Sequence, residues 1–226
     1  MRSHFRKKHC VRWLAIATAL LLMVGGYGWF CHWQNQRLIN RPVTSQATTV
    51  TTRATLRTDK VKPFTQQEFL HYRQAAFKHK VNEYPTGYLI IKRAGIRLPI
   101  YARANNYTLA LGVSKSFYLD SQMGQGNYVL AGHNMEQPGV LLTNLAQTKI
   151  DDQMIITNRH YGYRYRVTTK QTVNPNVTLV NGRAAKGSAL YLPTAKEKPL
   201  LTVYTCANGG ANRLMVQGQL INRFKK

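Results

Sequence analysis

Acidic side chains are the scarcest chemistry in this chain of 226 residues. Asp and Glu together number 8 against 32 Lys and Arg, a formal net charge of +24 and an isoelectric point near 10.4. No acid occurs between Glu83 and Asp120, and none between Asp152 and Glu197. A calcium cage takes about six to eight oxygen ligands, generally including two or three carboxylates. Neither stretch can supply one, so the expected metal complement is none, and no other cofactor is called for. Cysteine is nearly as rare, with Cys10, Cys31 and Cys206 only. A disulfide framework is therefore excluded, and Cys206 has no partner within the C-terminal body. There is no internal repeat.

The basic excess has a pattern. It is spread along the chain rather than concentrated on one recognition helix, which favours diffuse attraction to an anionic envelope over nucleic-acid binding. From Trp13 to Phe30 the chain is apolar apart from Thr18, near the minimum length for a membrane-spanning helix. Arg2, Arg6, Lys7, Lys8 and Arg12 precede it, while only Arg37 and Arg41 follow closely. The positive-inside rule then predicts a single-pass anchor with a cytoplasmic N-terminus and an exported body. Bulky aromatics at Tyr27, Trp29 and Phe30 leave no small-x-small cleavage site, so an uncleaved signal anchor is expected and a cleaved signal peptide is the competing reading. The expected organisation is a basic tail at 1–12, an anchor at 13–33, a tether at 34–63 rich in Thr, Gln and Ala, and a catalytic domain at 64–226.

Within that domain Thr65-Gln-Gln-Glu68 has the form of a capping box, with Phe64 and Phe69 placed to staple it. A helix over Gln66–Lys78 is predicted, a lid or brace with no chemistry of its own. Beyond it the pattern is β. Strands are expected at Tyr88–Lys92, Ile96–Ala102, Asn127–Ala131, Gln153–Thr157, Tyr163–Thr169, Gln171–Val177, Leu200–Cys206 and Arg213–Ile221. Helical patches fall near Thr108–Leu111 and Gly139–Leu145. Many short strands punctuated by turns point to a closed barrel or a sandwich. The interleaved Tyr161-Gly-Tyr-Arg-Tyr-Arg-Val could stack nucleic acid, but strict alternation is more simply a strand with one exposed face.

Three residues carry the chemistry. Cys206 ends an apolar, β-branched strand against an Asn208-Gly209-Gly210 turn, where a thiol is held rigidly yet reaches solvent. Among seven histidines only His133 lies at the end of a short apolar run next to a glycine. Arg213 opens the strand after the turn, and a hairpin about that turn puts it at the same sheet end as Cys206. A thiol nucleophile, an imidazole acid and a guanidinium donor together predict covalent acyl transfer.

These residues resemble a class A sortase, a membrane-anchored bacterial cysteine transpeptidase. Thr202-Val-Tyr-Thr-Cys206 looks like the family's TLXTC signature with Val203 in place of leucine. Met123-Gly-Gln-Gly-Asn-Tyr-Val-Leu-Ala-Gly-His133 looks like its histidine segment, and Gly95-Ile-Arg-Leu-Pro-Ile-Tyr101 like an early strand. The resemblance runs from about Thr65 to Phe224. It implies a mostly β fold, an eight-stranded sortase barrel with short helices behind an N-terminal transmembrane helix. It also implies Cys206 as nucleophile, His133 as general acid and Arg213 as oxyanion or substrate donor. The activity implied is cleavage of an LPXTG-like sorting signal between Thr and Gly, with transfer of the threonine carboxyl to a peptidoglycan amine. LPXTG-bearing surface proteins and that amine are the implied partners. Thr205 is expected to contact substrate. The long span from Thr178 to Pro199 is expected to wall the groove, with Leu190, Leu192 and Pro193 forming a pocket for the substrate leucine. Rival readings are a pilus-polymerising class C sortase, an L,D-transpeptidase whose SHGC-type signature is absent, and a non-catalytic, basic wall-binding protein on a sortase-like barrel.

Overall fold

The computed structural model of the chain describes residues 2–43, 63–176, 179–180 and 183–226. Two compact units emerge, Met1–Arg41 and Pro42–Lys226. The first is one helix, α1, Arg2–Ile39. Its stretch Ile16–Ile39 is long and apolar enough to cross a membrane, and Leu20 to Val24 all stand exposed. The helix thus runs past residue 33, the expected end of the anchor. Most of the expected tether, 44–62, lies outside the described residues.

The second unit opens on α2, Gln66–Lys78, at the predicted bounds. Thr65 caps it: its hydroxyl accepts from the Glu68 amide at 3.2 Å, and Glu68 Oε2 accepts from the Thr65 amide at 2.8 Å. Such a cap contributes roughly 1 kcal/mol. Phe69, Arg73, Ala76 and Phe77 recur at helical spacing and are buried, so one face of α2 is committed to the domain. That face meets a second short helix, α3, Asn106–Leu111, where Arg73 Nη1 donates to the Ala110 carbonyl at 2.9 Å.

The remaining elements close a barrel. Its strands are β1 (Gly87–Ile91), β2 (Ile96–Tyr101), β3 (Val113–Lys115), β4 (Asn127–Ala131), β5 (Gln153–Thr157) and β6 (Tyr161–Val173). A two-strand ribbon of β7 (Leu179–Val180) and β8 (Arg183–Ala184) stands apart, and β9 (Leu200–Ala207) and β10 (Asn212–Lys225) complete the set. Neighbours run β1-β2-β3-β4-β9-β10-β6-β5 and back to β1, which leaves no open sheet edge. Eight strands were expected and eight form the barrel, but they are not the same eight. Tyr163–Thr169 and the start of Gln171–Val177 merge into β6, because Lys170 sits mid-ladder opposite Val216; the strand stops at Val173, and Val177 lies outside the described residues. The missing eighth is β3, three residues long and parallel to β2 through the pair Ile100–Val113.

The core is the barrel interior, where Leu89, Ile91, Leu130, Met154, Ile156 and Val203 are fully buried. Tyr163 and Tyr165 point into it as well, while Arg166 between them and Val167 stays exposed. The tyrosines of the Tyr–Arg alternation are therefore core residues rather than a stacking surface.

Candidate active site

Strands β9 and β10 form a hairpin whose register pairs Cys206 directly with Arg213. The turn between them holds three successive residues in the left-handed region, Asn208 (φ 52°), Gly209 (62°) and Gly210 (96°). That conformation suits asparagine and glycine and few other residues, which is why the Asn-Gly-Gly sequence stands there. Arg213 is tied to this turn: Nη1 donates to the Gly210 carbonyl at 2.8 Å and to the Asn212 carbonyl at 3.0 Å. The guanidinium is thus held beside Cys206 by backbone.

His133 reaches the same level from the other side of β9. Strand β4 runs parallel to β9 and pairs its last residue, Ala131, with Tyr204; His133 follows two residues after that pair and Cys206 two residues after its partner. Several bonds lock this segment. The Gly132 amide donates to the Tyr204 carbonyl at 3.2 Å, and the Leu142 amide to the His133 carbonyl at 3.0 Å. Gly132 has no room for a side chain, since a Cβ there would lie 2.7 Å from Leu142 Cδ1. Thr205 is almost wholly buried and donates to the Gly132 carbonyl at 2.8 Å. Its hydroxyl was expected on the substrate; instead it faces inward and clamps the cysteine strand to the histidine segment. Strand alternation explains this, because Thr205 points opposite to its neighbours Tyr204 and Cys206.

The His133 ring is only 4% exposed, and its Nε2 is buried with no hydrogen-bond partner among the described residues. Phe64 lies against it, ring centroids 4.0 Å apart, and also stacks on Tyr72 at 5.2 Å. The residue expected to staple the start of α2 thus covers the imidazole. Helix α2 was expected to carry no chemistry; it is Phe64, the residue before its cap, that sets the surroundings of His133. Burial pushes the His133 pKa down to about 4, leaving the ring neutral at pH 7. Replacing Phe64 with Ala admits water and should move the His133 titration up toward the ordinary value near 6.5. An NMR pH titration of the ring carbons checks this, and an unshifted curve would show that Phe64 does not set the imidazole's state.

A groove of about 520 Å³ starts at Arg213 and follows the outer face of β9, β10 and β6. Tyr204, Arg213, Gln171 and Val173 line it together with Phe117 and with Ala185 to Ala189, all small residues except Lys186. Phe117 stands 6.5 Å from the Tyr204 ring and is 41% exposed. Residues 185–189 of the long span 178–199 line this groove. Leu190, Leu192 and Pro193 do not line it; Leu192 is 52% exposed, and the Leu190 carbonyl accepts from Tyr118 Oη at 2.6 Å. The chain turns here so that its glycine and alanines, rather than its leucines, face the cavity.

Hydrogen bonds from the barrel fix that wall. Asn127, Thr202 and Gln217 sit buried on adjacent strands and form one network: Thr202 Oγ1 donates to Asn127 Oδ1 at 2.8 Å, and Gln217 Nε2 to Thr202 Oγ1 at 2.9 Å. Asn127 Nδ2 then donates to the carbonyls of Ala189 (3.0 Å) and Tyr191 (2.9 Å), and Gln171 Nε2 to that of Gly187 (2.7 Å). Lys186 and Glu197 bridge the loop at 2.7 Å. A buried polar network with its partners satisfied specifies one arrangement. Sequence reading missed it, although polar residues amid otherwise apolar strands were its signal.

A second cleft of about 400 Å³, the one that Cys206 itself lines, lies between Pro63–Gln66, Asn134–Glu136 and the Cys206–Gly210 turn. Asn134 spans it, with Nδ2 donating to the Cys206 carbonyl at 3.3 Å.

The fold is a closed eight-stranded barrel that presents a cysteine near the end of one strand and an arginine paired to it on the next. Residues 89–221 match the sortase domain family, and the chain belongs to that family. It is 32% identical over 90 residues to the Sortase A of Bacillus anthracis, a stretch that is 40% of this chain and 42% of that protein. It is also 32% identical over 107 residues to the putative sortase YwpE of Bacillus subtilis (strain 168), covering 46% of this chain and 93% of that one. The solved Listeria monocytogenes sortase A shares the fold at a TM-score of 0.54 and 23% identity, over 63% of this chain and 90% of that structure. The aligned stretch thus spans less than half of the Bacillus anthracis protein.

Proposed function

We propose that this chain is a class A sortase, anchored by α1 with its N-terminus cytoplasmic and its barrel facing the cell wall. It cleaves an LPXTG-like signal between Thr and Gly and joins the threonine carboxyl to a peptidoglycan amine. The observation that carries the reading is the register pair Cys206–Arg213, with Arg213 lining the groove and His133 just beyond the strand that pairs with the cysteine strand.

The signal lies in the groove over Tyr204. The Cys206 thiolate attacks the threonine carbonyl, and the Arg213 guanidinium donates to the oxyanion that forms. His133 gives its proton to the departing glycine amine as the C–N bond breaks, leaving a thioester. A neutral amine then attacks the thioester and passes a proton to His133 as the amide forms and the thiolate leaves. For the first proton transfer His133 must be charged, so Phe64 has to swing off the ring when substrate binds.

Cleavage of a fluorogenic LPXTG peptide by the full-length protein in detergent tests the reading, and absence of any cleavage would reject it. Arg213→Lys keeps the charge and loses the planar fork, so kcat/KM should fall about 10-fold or more. Unchanged kinetics would leave Arg213 as a hairpin brace.

A further inference from the structure

The segment after β3 is wound around a lysine. Lys115, the last residue of that strand, is 9% exposed, and its ammonium donates to the carbonyls of Leu119 and of Ser121, the second at 2.7 Å. It joins no ion pair among the described residues. A buried ammonium is costly unless its protons find acceptors, so the chain from 116 to 121 is held in the curve that brings both carbonyls to it. The Ser121 amide tightens that curve by donating to the Tyr118 carbonyl at 2.7 Å. Tyr118 itself sits in the left-handed region (φ 49°), a conformation that costs a bulky residue energy and persists only where neighbours enforce it.

The curve gives two adjacent aromatic rings different surroundings. Phe117 lines the groove, 6.5 Å from the Tyr204 ring. Tyr118 reaches the loop that supplies the small lining residues, where its Oη donates to the Leu190 carbonyl at 2.6 Å. Leu190 directly follows the stretch 185–189 that lines the groove. Asn127, Gln171 and Gln217 tie that stretch to the barrel through the carbonyls of Ala189, Gly187 and Ser188. Among the described residues, the Tyr118 hydroxyl makes the one hydrogen bond that joins the loop to the segment bearing Phe117.

We propose that Tyr118 is a positioning residue for the sorting signal: its hydroxyl latches the loop at 185–191 to the segment bearing Phe117, so that two separate parts of the groove lining keep one spacing. Lys115 is the post that holds the latch. The inference rests on the sortase reading, with the signal in this groove, and adds what keeps the groove in the shape the signal meets. Neither Lys115 nor Tyr118 lines the groove. The latch therefore governs binding and leaves the chemistry at Cys206 alone.

The test reads binding and loop order together. The full-length protein in detergent is assayed with a fluorogenic LPXTG peptide, and its amide hydrogen exchange is followed by mass spectrometry. Tyr118→Phe deletes the hydroxyl and keeps the ring. It should raise the KM for peptide about 5-fold, the scale of one lost neutral hydrogen bond, and leave kcat within about 2-fold of wild type. Exchange should quicken over 185–191 while β9 and β10 keep their wild-type protection, and saturating peptide should slow it again. Phe117→Ala should also raise KM, but with exchange over 185–191 unchanged, since the latch is intact. The proposal requires both changes in Tyr118→Phe: a KM rise without faster local exchange, or faster exchange without a KM rise, overturns it while the sortase activity stands. A fall in kcat with faster exchange through β9 and β10 overturns it too, since it makes Tyr118 a general brace of the fold. A wild-type protein that cleaves nothing rejects the activity itself, and a role for the latch in it.

Discussion

Cys206→Ala should abolish peptide cleavage and amine transfer together. The described free cysteines are Cys31 in α1 and Cys206, and only the second belongs to the barrel. No other cysteine lines either cleft, so on the proposed mechanism no other side chain there forms a thioester. The variant should still bind peptide, because Tyr204, Phe117 and the loop at 185–189 are untouched. Alanine fits the half-exposed position with no buried polar group left behind, so the melting temperature should stay close to wild type. Turnover above the uncatalysed rate in this variant would remove the covalent mechanism from consideration.

His133→Ala should be nearly as severe, lowering kcat/KM by about 10²–10⁴-fold, the usual contribution of a positioned proton donor. The loss has a specific signature. Iodoacetamide should label Cys206 in the variant as in the wild type, since the β9–β10 hairpin that presents the thiol is independent of the imidazole. A variant that neither turns over nor labels would mean that His133 organises the site rather than moving a proton. Removing the ring also leaves a gap beneath Phe64, which should cost stability, so the variant is compared at a temperature where both proteins are folded.

Much of this was legible in the chain because it is written in local pattern. Thr65 and Glu68 state where α2 begins, and the β-branched run ending at Cys206 with Asn-Gly-Gly after it states the hairpin. The barrel's closure was less legible, since β3 is too short to show a period and Lys170 looks like a break in a strand it merely decorates. Two features were out of reach for a different reason. Phe64 reads as a helix staple until the fold lays its ring on that of His133, and Glu136 reads as one more surface acid until the cleft forms around it. The leucines of the 178–199 span misled in the opposite sense: apolar character suggested pocket, while hydrogen bonds from Asn127 and Gln217 turn the small residues inward. Local sequence determines elements and their ends; which faces meet depends on contacts between residues far apart.

The account centres on a thioester at Cys206, and intact-mass spectrometry observes it directly. The full-length protein is mixed with an LPXTG peptide in the absence of any amine and quenched in acid within seconds. The expected result is a mass increase equal to the peptide up to its threonine, less water, located at Cys206 by digestion and lost on adding glycinamide. Peptide cleavage with no adduct at Cys206, or an adduct located at another residue, would contradict it.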